Sequence, residues 1–267
     1  RLAQGGPPPE VSEADAQILD GLLKALNPMM MAMSAGSIAG HLATKAFGNY
    51  VLPIPRPDDR ILIIADNVDA FAEEWSLPAE DVHLWVCISE LATHSVLSVG
   101  HVKAAFERLL NSYVDGFQAD PRGFEDRLMD INISGDDPAE LQEQLQGVLS
   151  DPENLLGALR SEAQNAVVPQ LEALLAVVVG YVDFVVDKVG QGLLSSYASL
   201  LEVVRRRRFT SSAGDKFVEK LFGVEITSEL VDRGAAFVAG VVERAGEPAL
   251  TRLWTDPNAL PTPSEVE

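Results

Sequence analysis

Glu90 and His94 stand four residues apart in the run Cys87-Ile88-Ser89-Glu90-Leu91-Ala92-Thr93-His94. On a helix that spacing places a carboxylate and an imidazole on neighbouring turns, about 6 Å apart at Cβ. Such a pair can move a proton, or supply two ligands of a metal ion when a third group arrives from elsewhere. It is also the spacing of an ordinary surface pair on an amphipathic helix. Nucleophilic catalysis has less to build on. Ser89 has no histidine four residues before it, and Cys87 lies on an apolar face with Leu84 and Leu91, without an adjacent base. Cys87 is the only cysteine, which excludes an internal disulfide, a cysteine-rich zinc site and an iron–sulfur cluster.

The chain around these residues is 267 long, ample for one large domain with a full hydrophobic core. Its 20 Lys and Arg face 40 Asp and Glu, a formal net charge of −20. With 47% hydrophobic residues, that balance reads as folded and acidic rather than disordered. A surface so negative repels phosphate backbones and anionic headgroups over roughly a Debye length, so neither nucleic acid nor a membrane is expected as a partner. The most apolar stretch, residues 174–186, contains Asp183 and falls short of the ~20 apolar residues that span a bilayer. Residues 1–10 are Gly/Pro-rich without the apolar run of a secretory signal, and the expected location is cytoplasmic.

The positioning elements are mostly helical. Ser12 can cap a helix reaching Leu26, and Asn27-Pro28 restarts a second one through Met29, Met30, Met31 and Met33 to about Phe47. Gly48-Asn49-Tyr50 breaks it. Two extended runs, 50–54 and 60–65, are separated by Pro53, Pro55 and Pro57 and are expected to pair as a small sheet. A core-packed helix over 81–99 carries Leu84, Ile88 and Leu91, with Trp85, Ala92 and Val96 beside them. Another helix covers 102–117, and Asp-Pro and Gly-Asp-Asp-Pro steps divide 120–152 into shorter pieces. Leu171, Leu174, Leu175, Val178, Val182, Val185 and Val189 keep helical spacing through the β-branched run Val177-Val178-Val179, which predicts a buried helix. Helices follow at 190–208, 216–222, 228–244 and 248–254. The expectation is a mainly α (α+β) chain: a disordered segment at 1–10, one domain over 11–256, and a tail at 257–267.

Leu84-Trp85-Val86-Cys87-Ile88-Ser89-Glu90-Leu91-Ala92-Thr93-His94 resembles the central helix of the actinobacterial and Chloroflexi zincin-like metallopeptidase type 2 family. Its members are candidate hydrolases labelled as associated with deazaflavin coenzyme biosynthesis. There the segment resembles Leu-Trp-Val-x-x-His-Glu-x-x-His-His. The likeness extends to Gly48-Asn49-Tyr50-x-Leu52-Pro53, Gly180-Tyr181-Val182-Asp183, the run Arg205 to Arg208, Leu221-Phe222-Gly223-Val224, Leu253-Trp254 and Leu260-Pro261-Thr262, roughly residues 34–262. It implies a zincin-like helical domain with a small sheet element. In His-Glu-x-x-His the two imidazoles share one Zn²⁺ and the Glu polarises its water, while a third ligand comes from a distant helix. The resemblance assigns that third position to the residue before Gly180-Tyr181.

This sequence departs at each ligand position. The histidines align with Ser89 and Thr93, and the third ligand with Val179. Hydroxyls are poor zinc ligands and a valine offers no lone pair. Only Glu90, the remnant general base, persists, and without a metal nothing lowers the pKa of a water for it to use. The resemblance therefore implies a metal-free pseudoenzyme with no cofactor, whose old cleft, including Tyr181, is open to a peptide, a small molecule or a protein. Two alternatives stand beside it. One is an active hydrolase with displaced ligands Glu90, His94 and Asp183, although moving the pair by one residue turns it about 100° around the helix. The other is a structural or interaction protein. His41, His83 and His101 have no ligand spacing and read as surface or satisfied core histidines. Arg205 to Arg208 are expected to cap a helix C-terminus and pair with local carboxylates.

Overall fold

The computed structural model describes residues 36, 40, 43–116, 161–209, 219 and 223–267. The chain divides into two compact units, Arg1–Thr44 and Lys45–Glu267. In the first, the described residues Gly36, Gly40, Ala43 and Thr44 are helical. The expectations for residues 1–10, for the helix beginning at Ser12, for Met29 to Met33 and His41, for the pieces of 120–152, and for most of 216–222 lie outside the described residues.

The second unit is mainly α. Helices α1 (Ala65–Glu74), α2 (Ala79–Leu97) and α3 (Gly100–Gly116) precede the long α4 (Glu162–Leu193), with α5 (Tyr197–Phe209) and α6 (Ser228–Ala245) after it. The C-terminal part alternates short 3₁₀ turns at Glu247–Leu250 and Pro257–Ala259 with α7 (Thr251–Thr255) and α8 (Pro263–Val266). Among the described residues no single helix is long and apolar enough to cross a membrane.

Helix α4 organises the rest, and its start is written in two residues. Ser161 Oγ accepts from the Gln164 amide at 3.1 Å, and Gln164 Oε1 accepts from the Ser161 amide at 2.9 Å, a reciprocal cap that satisfies two donors otherwise without partners. From Ala173 to Gly180 every residue is buried, because α2, α3, α6 and α8 pack around the helix. An element apolar on all sides can only be a core helix, and here the helical spacing prevails over the β-branched valines. Helix α6 crosses α4 at Gly180 and Gly234. A Cβ on Gly234 would fall inside the Ala176 carbonyl oxygen, and one on Gly180 inside the Gly234 backbone, so the two backbones touch there.

Elsewhere the structure corrects the sequence reading. The paired extended runs reduce to one antiparallel bridge, Gly48 with Ile63, extended by the Ile64 amide donating to the Phe47 carbonyl at 2.8 Å. Pro53, Pro55 and Pro57 lack the N–H that a longer ladder needs. From Ala65 the chain is helical. Helix α1 departs from the expected strand end, and its Val68, Phe71 and Ala72, all buried, keep helical spacing. The helix expected over 190–208 is broken at Leu194, and α5 starts afresh where Asp81 of α2 accepts from the Ser196 amide (2.7 Å) and from the Ser195 and Ser196 hydroxyls (2.8 and 2.7 Å). The segment expected as a tail is structured. Val266 is 3% exposed and α8 packs on α4, with Glu265 accepting from the Thr262 amide at 2.8 Å.

In α2 the buried residues are Val82, Val86, Glu90, Ala92, Thr93, Val96 and Leu97; Ala92 and Val96 are buried as expected, whereas Leu84 and Leu91 of the expected core face are 39% and 57% exposed. The helix is rotated from the sequence reading, and the rotation carries Glu90 inward.

Candidate functional site

Glu90 is 7% exposed, and its carboxylate faces the turn at residues 48–50. The Tyr50 amide is shared between both oxygens, at 3.3 Å to Oε1 and 3.2 Å to Oε2. Gly48 is required at this point. A Cβ there would overlap Glu90 Cδ and lie 2.6 Å from Glu90 Oε2 and 2.7 Å from the Leu62 carbonyl. Burial pushes the Glu90 carboxyl above its ordinary range, with the backbone of Tyr50 and Asn49 and the charge of Arg56 pulling the other way.

Tyr50 joins Glu90 to His94. Its hydroxyl shares a hydrogen bond with His94 Nδ1 at 2.8 Å, and the two rings lie 6.0 Å apart. Burial raises the phenol pKa, against the pull of Arg56, whose guanidinium sits 5.8 Å from the ring centre. Arg56 donates to the Asn49 carbonyl, and its own carbonyl accepts from Lys103 Nζ at 2.9 Å, so α3 braces the turn from behind. Burial lowers the Arg56 pKa, partly offset by Tyr50 and Glu90.

The side chains at the three positions that the resemblance makes zinc ligands do not fit that metal. The Thr93 side chain, 5% exposed, donates its hydroxyl to the Ser89 carbonyl at 2.8 Å, inside its own helix. Val179 is 7% exposed and wholly apolar. A neutral serine, a hydroxyl already committed and a valine make no zinc donor set.

The displaced set is not brought together either. Asp183 is bound by Arg208, Nη1 to Oδ2 at 2.6 Å and Nη2 to Oδ1 at 2.9 Å, which occupies both oxygens with a guanidinium. Among the described residues no group of three His, Cys, Asp or Glu is placed to hold a metal ion. Tyr181 stacks edge-on against Trp254, ring centres 4.8 Å apart, and belongs with the C-terminal segment. His83 pairs with Asp69 at 2.7 Å and His101 Nε2 lies 3.0 Å from the Leu253 carbonyl, both satisfied locally. Of the arginine run, Arg206 pairs with Glu202 at 2.8 Å, while Arg207 lies 3.7 Å over the Phe47 ring.

The structure thus gathers Glu90 and His94, as their spacing allows, and adds Tyr50, Asn49 and Arg56. Gly48-Asn49-Tyr50 was visible as a motif, but its contact with Glu90 crosses 40 residues of sequence. Nothing local marks Arg56.

The family model for zincin-like metallopeptidases matches residues 3–267. The fold is similar to the crystal structure of a candidate hydrolase with a novel fold from Chloroflexus aurantiacus, at 20% identity and a TM-score of 0.55, covering 92% of this chain and 68% of that one. No curated protein matches. A family match that runs almost from end to end places the chain: it belongs to the zincin-like metallopeptidase family.

Proposed function

We propose that this chain is a zincin-like protein without zinc peptidase chemistry, whose former active-site face serves to bind a ligand or partner chain. One observation carries the reading. The hydroxyl at the second histidine position, Thr93, is committed to the Ser89 carbonyl, and the position of the third ligand is the hydrocarbon of Val179. A zincin makes its nucleophile by lowering the pKa of a metal-bound water, and Glu90 has no such water to deprotonate. The absence of a displaced metal set among the described residues supports the same reading.

Elemental analysis tests it. Untagged protein, purified without chelator and dialysed, is measured for zinc, iron, nickel and manganese per chain. The expected result is far less than one metal per chain and no thermal shift on adding zinc. About one metal per chain overturns the proposal.

A further inference from the structure

We infer that Glu90 has become the acceptor of a structural latch: its carboxylate, accepting from the Tyr50 amide and fitted against Gly48, pins the turn at residues 48–50 against α2 and thereby sets the Tyr50 hydroxyl on His94. This rests on the reading above in one respect, that Glu90 serves no metal-bound water. Three observations carry it. Both oxygens of Glu90 share the Tyr50 amide, so the group that would serve as general base in a zincin is engaged by the fold. Gly48 leaves no room for a side chain between Glu90 and the Leu62 carbonyl, so the turn and the carboxylate are fitted to each other. Tyr50 then carries the constraint outward, with its amide on Glu90 and its hydroxyl on His94 one turn further along α2. A buried carboxylate needs donors, and buried amides need acceptors. The latch satisfies both with one contact, and it closes the chain entering α1 onto the helix that would carry the metal.

The test follows amide hydrogen exchange at Tyr50 and the His94 imidazole resonance by NMR, in the full chain, for Glu90→Ala, Glu90→Gln and Tyr50→Phe. Glu90→Ala should speed exchange at the Tyr50 amide at least about tenfold and shift the His94 resonance. Glu90→Gln keeps one acceptor oxygen and should give a smaller change in the same direction, which preserves the test if the alanine variant does not fold. Tyr50→Phe should move His94 while leaving the amide of residue 50 at its wild-type rate. Unchanged exchange in both Glu90 variants overturns the latch, and so does an unmoved His94 resonance in those variants. The functional reading fails in a different place: about one metal per chain in the wild-type protein sinks it, whatever the amide does.

Discussion

Arg208, in the last turn of α5, reaches α4 and closes both carboxylate oxygens of Asp183, with the shorter contact 2.6 Å. The two residues lie 25 apart in sequence, and the pair ties the end of α5 to the centre of the long helix. Burial works to lower the guanidinium pKa, but the Asp183 carboxylate outweighs it and the net shift is upward. An aspartate held this way is a joint between helices, not a free ligand in a cleft.

Removing the carboxylate should therefore cost stability and leave metal content alone. Asp183→Ala strands a guanidinium whose side chain is 28% exposed, a loss of about 1–2 kcal/mol after allowance for solvent screening. Asp183→Asn keeps one acceptor and should lose less. Chemical denaturation reads the difference, and two variants with wild-type midpoints would show that the pair adds nothing.

Glu90 gives the stability a pH signature of its own. Its folded pKa is raised by burial, so between the ordinary glutamate range and that higher value the folded state binds more protons than the unfolded chain. Stability from this group is greatest below the unfolded pKa and declines as pH rises through the folded one. Asp81 works in the opposite sense. Hydrogen bonds from Ser196 and Ser195 depress its pKa, so its contribution is present above the ordinary aspartate range and lost as pH falls. Thermal unfolding of Glu90→Gln from about pH 2 to 8 should lack the decline while keeping the acid-side loss. A decline equal to that of the wild type would place its origin in another group.

Among the described glycines, Gly234 at the crossing of α4 and α6 has the least room. Gly234→Ala drives a methyl into the Ala176 carbonyl, and backbone cannot swing aside as a long side chain can. A loss of about 1–3 kcal/mol or more is expected, with Gly180→Ala of similar size. Gly192→Ala has nothing within 4 Å of its new methyl and should be neutral or slightly stabilising in the same assay.

These tests divide along what sequence could reveal. Helix α4 was legible because its apolar residues keep one period over many turns and its neighbours bury every side. Helix α1 was not, because the Ile-rich run before Ala65 reads as a strand and hides the helical spacing of Val68, Phe71 and Ala72. In α2 two apolar stripes compete, and periodicity alone does not say whether Leu84 and Leu91 or Val82 and Val86 face inward. That Ser89, Thr93 and Val179 stand where the resemblance puts the zinc ligands is read from the sequence alone. The burial of Glu90 is not, since its amide donor arrives from a turn 40 residues away.

Restoring the ligands is the strongest trial of the alignment itself. Ser89→His with Thr93→His places two imidazoles one turn apart on α2, and Val179→Glu adds a carboxylate from α4, which packs against it. The triple variant should bind close to one zinc per chain by elemental analysis, and zinc at 100 times its Kd should stabilise it by about 2.7 kcal/mol. The double variant, lacking the third ligand, should bind more weakly. Because Glu90 remains on the Tyr50 amide, the zinc-loaded triple variant is expected to show little or no peptide hydrolysis. A triple variant that folds but takes no zinc would mean that positions 89, 93 and 179 do not converge, and the residue-by-residue correspondence with the family would fall with it.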